Sequence, residues 1–235
     1  MKRIFAVLIV GIAFIALPLA ADVHIQQKSH TDAFMGQPAK DQVNHQWIAK
    51  DKFAMITDEM TIIVDLSAKK MYWVNHANKT YVPMDLPLDL TKYFPPQMQQ
   101  MMQGVTITVN PNGETKTVGK WNCDGYDVTI NIMMMTMNQK VWASTDVGFD
   151  WKAYNEKMMP QFTQAMMRMS EDSVKEFQKI NGFQIRTEMN MEMMGQKMNQ
   201  WTEVTSITNE SAPAGTYTFP SSYTKKDQID MMGMR

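Results

Sequence analysis

The chain has 235 residues, with 23 Lys and Arg against 24 Asp and Glu, and a single cysteine. A near-neutral chain without basic clusters has no electrostatic footprint for nucleic acid. One cysteine excludes an intramolecular disulfide scaffold, so stability must come from a buried core. The count that stands apart is 26 methionines against 10 Phe and 6 Trp. Methionine is unbranched and polarizable, so an excess points to a surface that repacks around changing contacts or to a soft-metal site.

Lys2 and Arg3 precede an apolar run from Ile4 to Leu19, and Ala20 and Ala21 follow it. That is the layout of a secretory signal peptide, with cleavage expected after Ala21. The run is shorter than a membrane span needs, and no cysteine lies beside the cleavage point to take a lipid. The chain is therefore expected to be exported to the periplasm and not integral to the membrane. The 214 residues that follow suit one β-rich domain, 22–223, with a polar tail over 224–235.

In order, Asp22–His30, Gln42–Ala49, Lys52–Thr57, Met60–Leu66, Lys70–Asn75 and Lys79–Met84 read as strands joined by short polar turns. Such a series is expected to pair as an antiparallel meander. Pro95-Pro96 and Gly104 bracket a short helix whose Met98, Met101 and Met102 share one face. Val105–Val109 and Glu114–Val118 read as two strands separated by a turn at Asn110-Pro111-Asn112-Gly113.

The stretch from Gly119 to Trp142 organises the rest. Tyr126, Val128, Ile130 and Ile132 alternate with Asp127, Thr129 and Asn131, the pattern of a half-buried strand. Met133, Met134, Met135 and Met137 then make both faces apolar, which implies a bulge or a strand covered on both sides. Lys140–Ser144 is the return strand, and Cys123 is expected to be a small buried hydrophobe beside Trp121.

Asp150 can cap a helical insert that begins at Trp151, is interrupted at Pro160 and ends at Asn181-Gly182. Phe183–Met193 alternates again, with Met189, Met191 and Met193 on one face and Glu188 and Glu192 on the other. Gly195 turns the chain into Lys197–Ile207. Met134 and Met193 each precede a tryptophan by eight residues, Trp142 and Trp201. Two methionine-tipped hairpins are expected to contribute to one region.

The segments HTDAF at His30–Phe34, QPAKD at Gln37–Asp41, YVPMDLPLDL, GETKTVGKWNCDGYDV at Gly113–Val128, VWASTDVGFDWKAYNE at Val141–Glu156 and APAGTY at Ala212–Tyr217 span most of the chain. Together with the signal peptide they resemble an uncharacterised bacterial family of exported proteins, a domain of unknown function with a LolA-like fold. The resemblance implies a mainly β (α+β) protein, a curved antiparallel sheet or open half-barrel with short helices covering the concave face. LolA-like relatives carry lipoprotein acyl chains or other lipids, and the family supplies no functional residues to transfer.

The residues themselves leave three binding chemistries open and disfavour catalysis. Met98, Met101, Met102, Met133, Met135, Met189, Met191 and Met193 either line a pocket for an acyl chain or fill an ordinary core. Met133, Met135, Met137, Met189 and Met191 are the thioethers available to Cu(I) or Ag(I). A half-barrel's edge strands could also pair with another envelope protein. His24, His30, His45 and His76 lie outside the methionine runs. Asp127, Asp146, Glu188 and Glu192 are candidate acid–base carboxylates. No Ser–His–Asp order, phosphate loop, HExxH or CxxC accompanies them. The chain is expected to bind a hydrophobic ligand, to need no cofactor and not to be an enzyme.

Overall fold

The computed structural model describes residues 21–34, 36–89, 92–93, 105–132, 135–158, 171–193 and 196–229. The proposed signal peptide and the helix carrying Met98, Met101 and Met102 lie outside these residues, as do Met133 and Pro160. No helix among the described residues is long and apolar enough to cross a membrane.

Six strands form a first antiparallel meander: β1 (Asp22–Thr31), β2 (Lys40–Ile48), β3 (Lys52–Ile56), β4 (Met60–Asp65), β5 (Lys70–Asn75) and β6 (Thr80–Asp85). A second contains β7 (Thr106–Val118), β8 (Trp121–Ile132), β9 (Met135–Ser144), β10 (Phe183–Met193) and β11 (Gln196–Glu210). The first and last of these long strands join the halves: β1 pairs with β11 from Asp22↔Glu210 to Thr31↔Gln200. The result is one curved, unclosed sheet of twelve strands in the order β12-β6-β5-β4-β3-β2-β1-β11-β10-β9-β8-β7.

The alternating sequences put matching apolar residues at the same level. Val23, Ile48, Phe53, Val64, Met71 and Met84 are successive cross-strand partners over six strands. Next to them run Ile25, Gln46, Met55, Ile62, Trp73 and Val82. At the far side of the sheet Val109, Val128, Ile107 and Ile130 form a second packed region. Each residue of these rows removes its apolar surface from water at about 25 cal/mol per Å², and that burial is what holds an otherwise open sheet.

The helical segments lie against this packed face. α1 (Trp151–Ala153) starts where Asp150 accepts the backbone N–H of Ala153, and continues as a π-helical turn, Tyr154–Met158. Tyr154 packs against Phe53 of the first meander and Phe183 of the second, with ring centroids 6.2 and 5.7 Å away. α2 (Glu171–Phe177) packs on β7.

Both outermost strands are partly covered. Among the described residues no strand lies beyond β7, and Glu176 of α2 accepts the N–H of Val109 at 2.9 Å. β12 (Thr224–Lys225) adds in parallel to β6, and Ile229 just beyond it is buried in the core. Covering an edge in this way blocks unwanted strand pairing.

Three local features differ from the sequence-based expectations. Asn110–Gly113 does not reverse the chain, because both flanks pair with the same neighbour, β8. The extra residues are absorbed as an irregularity, with Gly113 at φ +73° and Asn112 accepting the N–H of Glu114. The return strand begins at Met135, earlier than the Lys140 expected from sequence. Ile132 pairs with Met135, so Met135 and Met137 belong to the return strand. Finally, Thr224 and Lys226, placed by sequence in a polar tail, donate their backbone N–H groups to the carbonyls of Lys79 and Tyr81.

Candidate functional site

The two methionine hairpins lie side by side. Met189 pairs with Gln139 and Asn190 with Asn138, where the β9–β10 ladder stops. Beyond that point Met135 and Met137 keep their pairing with β8, and Met191 and Met193 keep theirs with β11. Across β10 and β11, Met191 pairs with Met198. Across β8 and β9, Met137 pairs with Ile130, which pairs with Ile107 of β7. At this end of the sheet β7, β8 and β9 carry the cross-strand row Ile107, Ile130 and Met137, and β10 and β11 carry the pair Met191 and Met198.

Burial grades across this end. Ile107 and Ile130 are buried under α2, while Met137 and Met191 are half-buried. Met189, one step away, is half-buried too. Met198 is buried, and the sequence reading did not single it out. Its signal was present: Met198, Gln200, Thr202 and Val204 alternate on β11. Trp142 and Trp201 sit at odd-numbered steps from these methionines on their return strands, so each points to the opposite face.

Between the methionine region and the first meander's core runs an uncharged polar seam. Ser29 pairs with Thr202 on one side and Gln42 on the other, and Thr187 pairs with Thr202. Gln46 donates to Gln27 at 2.8 Å, and Asn44 donates to Ser29 at 3.2 Å. The remaining acceptors, Asn44 Oδ1 and Gln46 Oε1, are buried without a partner. Buried acceptors are normally satisfied, so each such atom asks for an explanation. The signal for this seam was the polar alternation Gln42, Asn44, Gln46 in β2.

The opposite face carries charge. Arg186 donates to Glu188 at 2.6 Å and also to Glu203, Lys116 pairs with Glu188, and Lys140 with Glu114. The Arg186 guanidinium helps hold the Glu188 carboxyl below the usual carboxylate range, against the opposing effect of its burial, which is the larger influence. Glu188 is thus an ion-pair member, Asp127 accepts from Asn112, and Asp146 sits in a loop after β9. The structure does not gather these carboxylates at one point. The side chains of Met135, Met193 and Glu192 lie outside what is described.

His24, His30 and His45 are also on strands of this face, and His76 lies in the turn after β5. His24 accepts or donates to His45 at 2.9 Å and to Glu210 at 2.7 Å, and stacks on Trp47 with centroids 4.1 Å apart. Burial, and secondarily His24, lowers the pKa of His45. His30 lies between Asp41 at 2.7 Å and Asp32 at 3.1 Å, and its hydrogen bond to Asp41 raises its pKa. Among the described residues no three His, Cys, Asp or Glu side chains group as metal ligands. Cys123 is buried in the cluster that holds Trp121, and burial pushes its thiol pKa up.

Residues 39–223 match the family model described as "Domain of unknown function (DUF4412)". No curated protein matches. Among solved structures, "Structure of PNGF-II in C2 space group" aligns at 10% identity and a TM-score of 0.42, over 90% of this chain and 32% of that chain. "Structure of PNGF-II in P21 space group" aligns at 12% identity and a TM-score of 0.41, over 89% and 32%. The chain thus spans about a third of the length of these structures.

Proposed function

We propose that this chain, which belongs to the DUF4412 family, is an exported, non-catalytic binding protein for a hydrophobic ligand, a lipid or a lipoprotein acyl chain. In this reading the signal peptide is removed after Ala21 and the mature protein works in the periplasm. The sheet acts as a LolA-like half-barrel whose concave face receives the ligand.

The observation that supports the proposal is the cross-strand pair Met191–Met198 on the hairpin next to the one that carries Met137. These flexible thioethers continue the buried Ile107–Ile130 pair toward less buried positions. An acyl chain laid along them gains about 0.8 kcal/mol per buried CH₂, and thioethers adapt to chains of different shape. The neutral seam beside them suits a polar, uncharged end of the same ligand. Hydroxyl or amide donors there would satisfy Asn44 Oδ1 and Gln46 Oε1.

The test is native mass spectrometry of the protein isolated from its own envelope, followed by rebinding of a fluorescent fatty acid. A co-purifying lipid is expected, with about ten-fold weaker rebinding by the double variant Met191→Gln/Met198→Gln. Protein that carries no lipid and binds none overturns the proposal. Retention of Ag(I) instead would favour the soft-metal alternative, for which the Met191–Met198 pair is the supporting geometry.

A further inference from the structure

The packed face ends beside β5 and β6 in a pocket of about 520 Å³. Trp73 and Val82, cross-strand partners, form its apolar wall. Asn75, Asn78 and Thr80 close the hairpin end, and Lys226 and Gln228 enter from the segment after β12. The volume lies within the range that holds small organic ligands.

The lining is unbalanced in charge and in hydrogen bonding. Lys226 brings a cation, and no carboxylate is among the described lining residues. Lys226 has no ion-pair partner among the described residues. Its position is fixed from behind, since its backbone N–H bonds to the carbonyl of Tyr81 at 2.8 Å. Trp73 is 6% exposed and its Nε1–H is buried with no acceptor. A buried indole N–H normally has a partner. Asn75 accepts the N–H of Asn78 at 2.8 Å.

We propose that this pocket binds a small organic monoanion, a carboxylate with a short apolar body. Its charge is met by Lys226, and its body lies against Trp73 and Val82. Among the described lining residues no carboxylate offers a cation a counter-charge, and a neutral amide lacks the attraction to Lys226. The inference does not rest on the lipid reading, because Met191 and Met198 belong to the second meander and the pocket to the first.

The experiment is a titration of the full chain with hexanoate, hexanamide and hexylamine, read by ¹⁵N–¹H NMR at the Trp indole signals. Hexanoate is expected to shift the Trp73 indole resonance and to bind at least about ten-fold more tightly than hexanamide, with hexylamine not binding. Lys226→Gln is expected to remove the preference for the acid, while Met191→Gln/Met198→Gln leaves it intact. Equal affinity for acid and amide, a Lys226→Gln variant that keeps the preference, or shifts confined to other indoles would each overturn the proposal. Loss of hexanoate binding only in the methionine double variant would place the acid at the other site and overturn it too.

Discussion

The guanidinium of Arg186 lies over Trp201, 5.0 Å from the ring centroid, while its nitrogens donate to Glu188 and Glu203. One side chain thus covers an aromatic ring and neutralises two carboxylates on adjacent strands. Arg→Lys keeps the charge but loses the planar fork. Arg186→Ala is expected to cost about 1–3 kcal/mol, because it uncovers the ring and leaves two acids facing each other. Arg186→Lys should recover only part of that. Urea melts of the two variants check the order; equal stabilities would show that the fork geometry contributes nothing.

Gly182 carries a backbone constraint that no other residue meets. Its φ is +132°, and an added Cβ would stand 2.8 Å from the carbonyl carbon and oxygen of Ser144. The obstacle is backbone, which cannot swing away. Gly182→Ala is expected to cost about 2–3 kcal/mol. Gly36→Ala, at φ +82° with open space around it, should cost less. Thermal unfolding of both separates strain alone from strain plus collision.

Cys123 is 2% exposed, and its thiol pKa is raised by burial. A thiolate is the reactive form, so both effects protect it. The native protein should react with a disulfide reagent at pH 8 at least about a hundred-fold more slowly than the urea-unfolded chain. Fast reaction in the native state would mean that the Trp121 cluster opens readily.

The histidines are expected to titrate in opposite directions from 6.5. His30, bonded to Asp41 and Asp32, has a raised pKa. Its contribution to stability is complete below 6.5 and is lost as pH rises through the raised value. His45 and His76 have lowered pKa values, chiefly from burial. Their contribution is present above 6.5 and is lost as pH falls through their lowered values. NMR titration should resolve one histidine above 6.5 and two below it. His30→Gln should steepen the loss of stability on acidification, since the compensating term is gone; an unchanged slope would rule out the His30–Asp41 bond as a source of stability.

Much of this architecture was legible because strand periodicity is a local property. The alternation in Asp22–His30, Lys70–Asn75 and Phe183–Met193 marks strands whatever they later pair with, and polar turns between them imply a meander. Burial of Cys123 with Trp121 followed from the same reasoning. The turn at Asn110–Gly113 misled because Pro, Asn and Gly serve a bulge as readily as a reversal. Which one forms is decided by whether the flanks share a partner strand, and both pair with β8. The start of the return strand at Met135 was hidden because Met135 and Met137 interrupt the apolar–polar alternation that marks a strand.

The sequence by itself determined that this is a strand-built chain, rich in methionine, with no cysteine scaffold and no assembled catalytic motif. Only the tertiary structure decided which residues share a level. Asp22 meets Glu210, Met191 meets Met198, and Trp73 joins Lys226 around one pocket. The physical reason is that a side chain's face is set by its immediate neighbours in sequence. Its partner on the next strand is set by long-range packing, here closed through the pairing of β1 with β11.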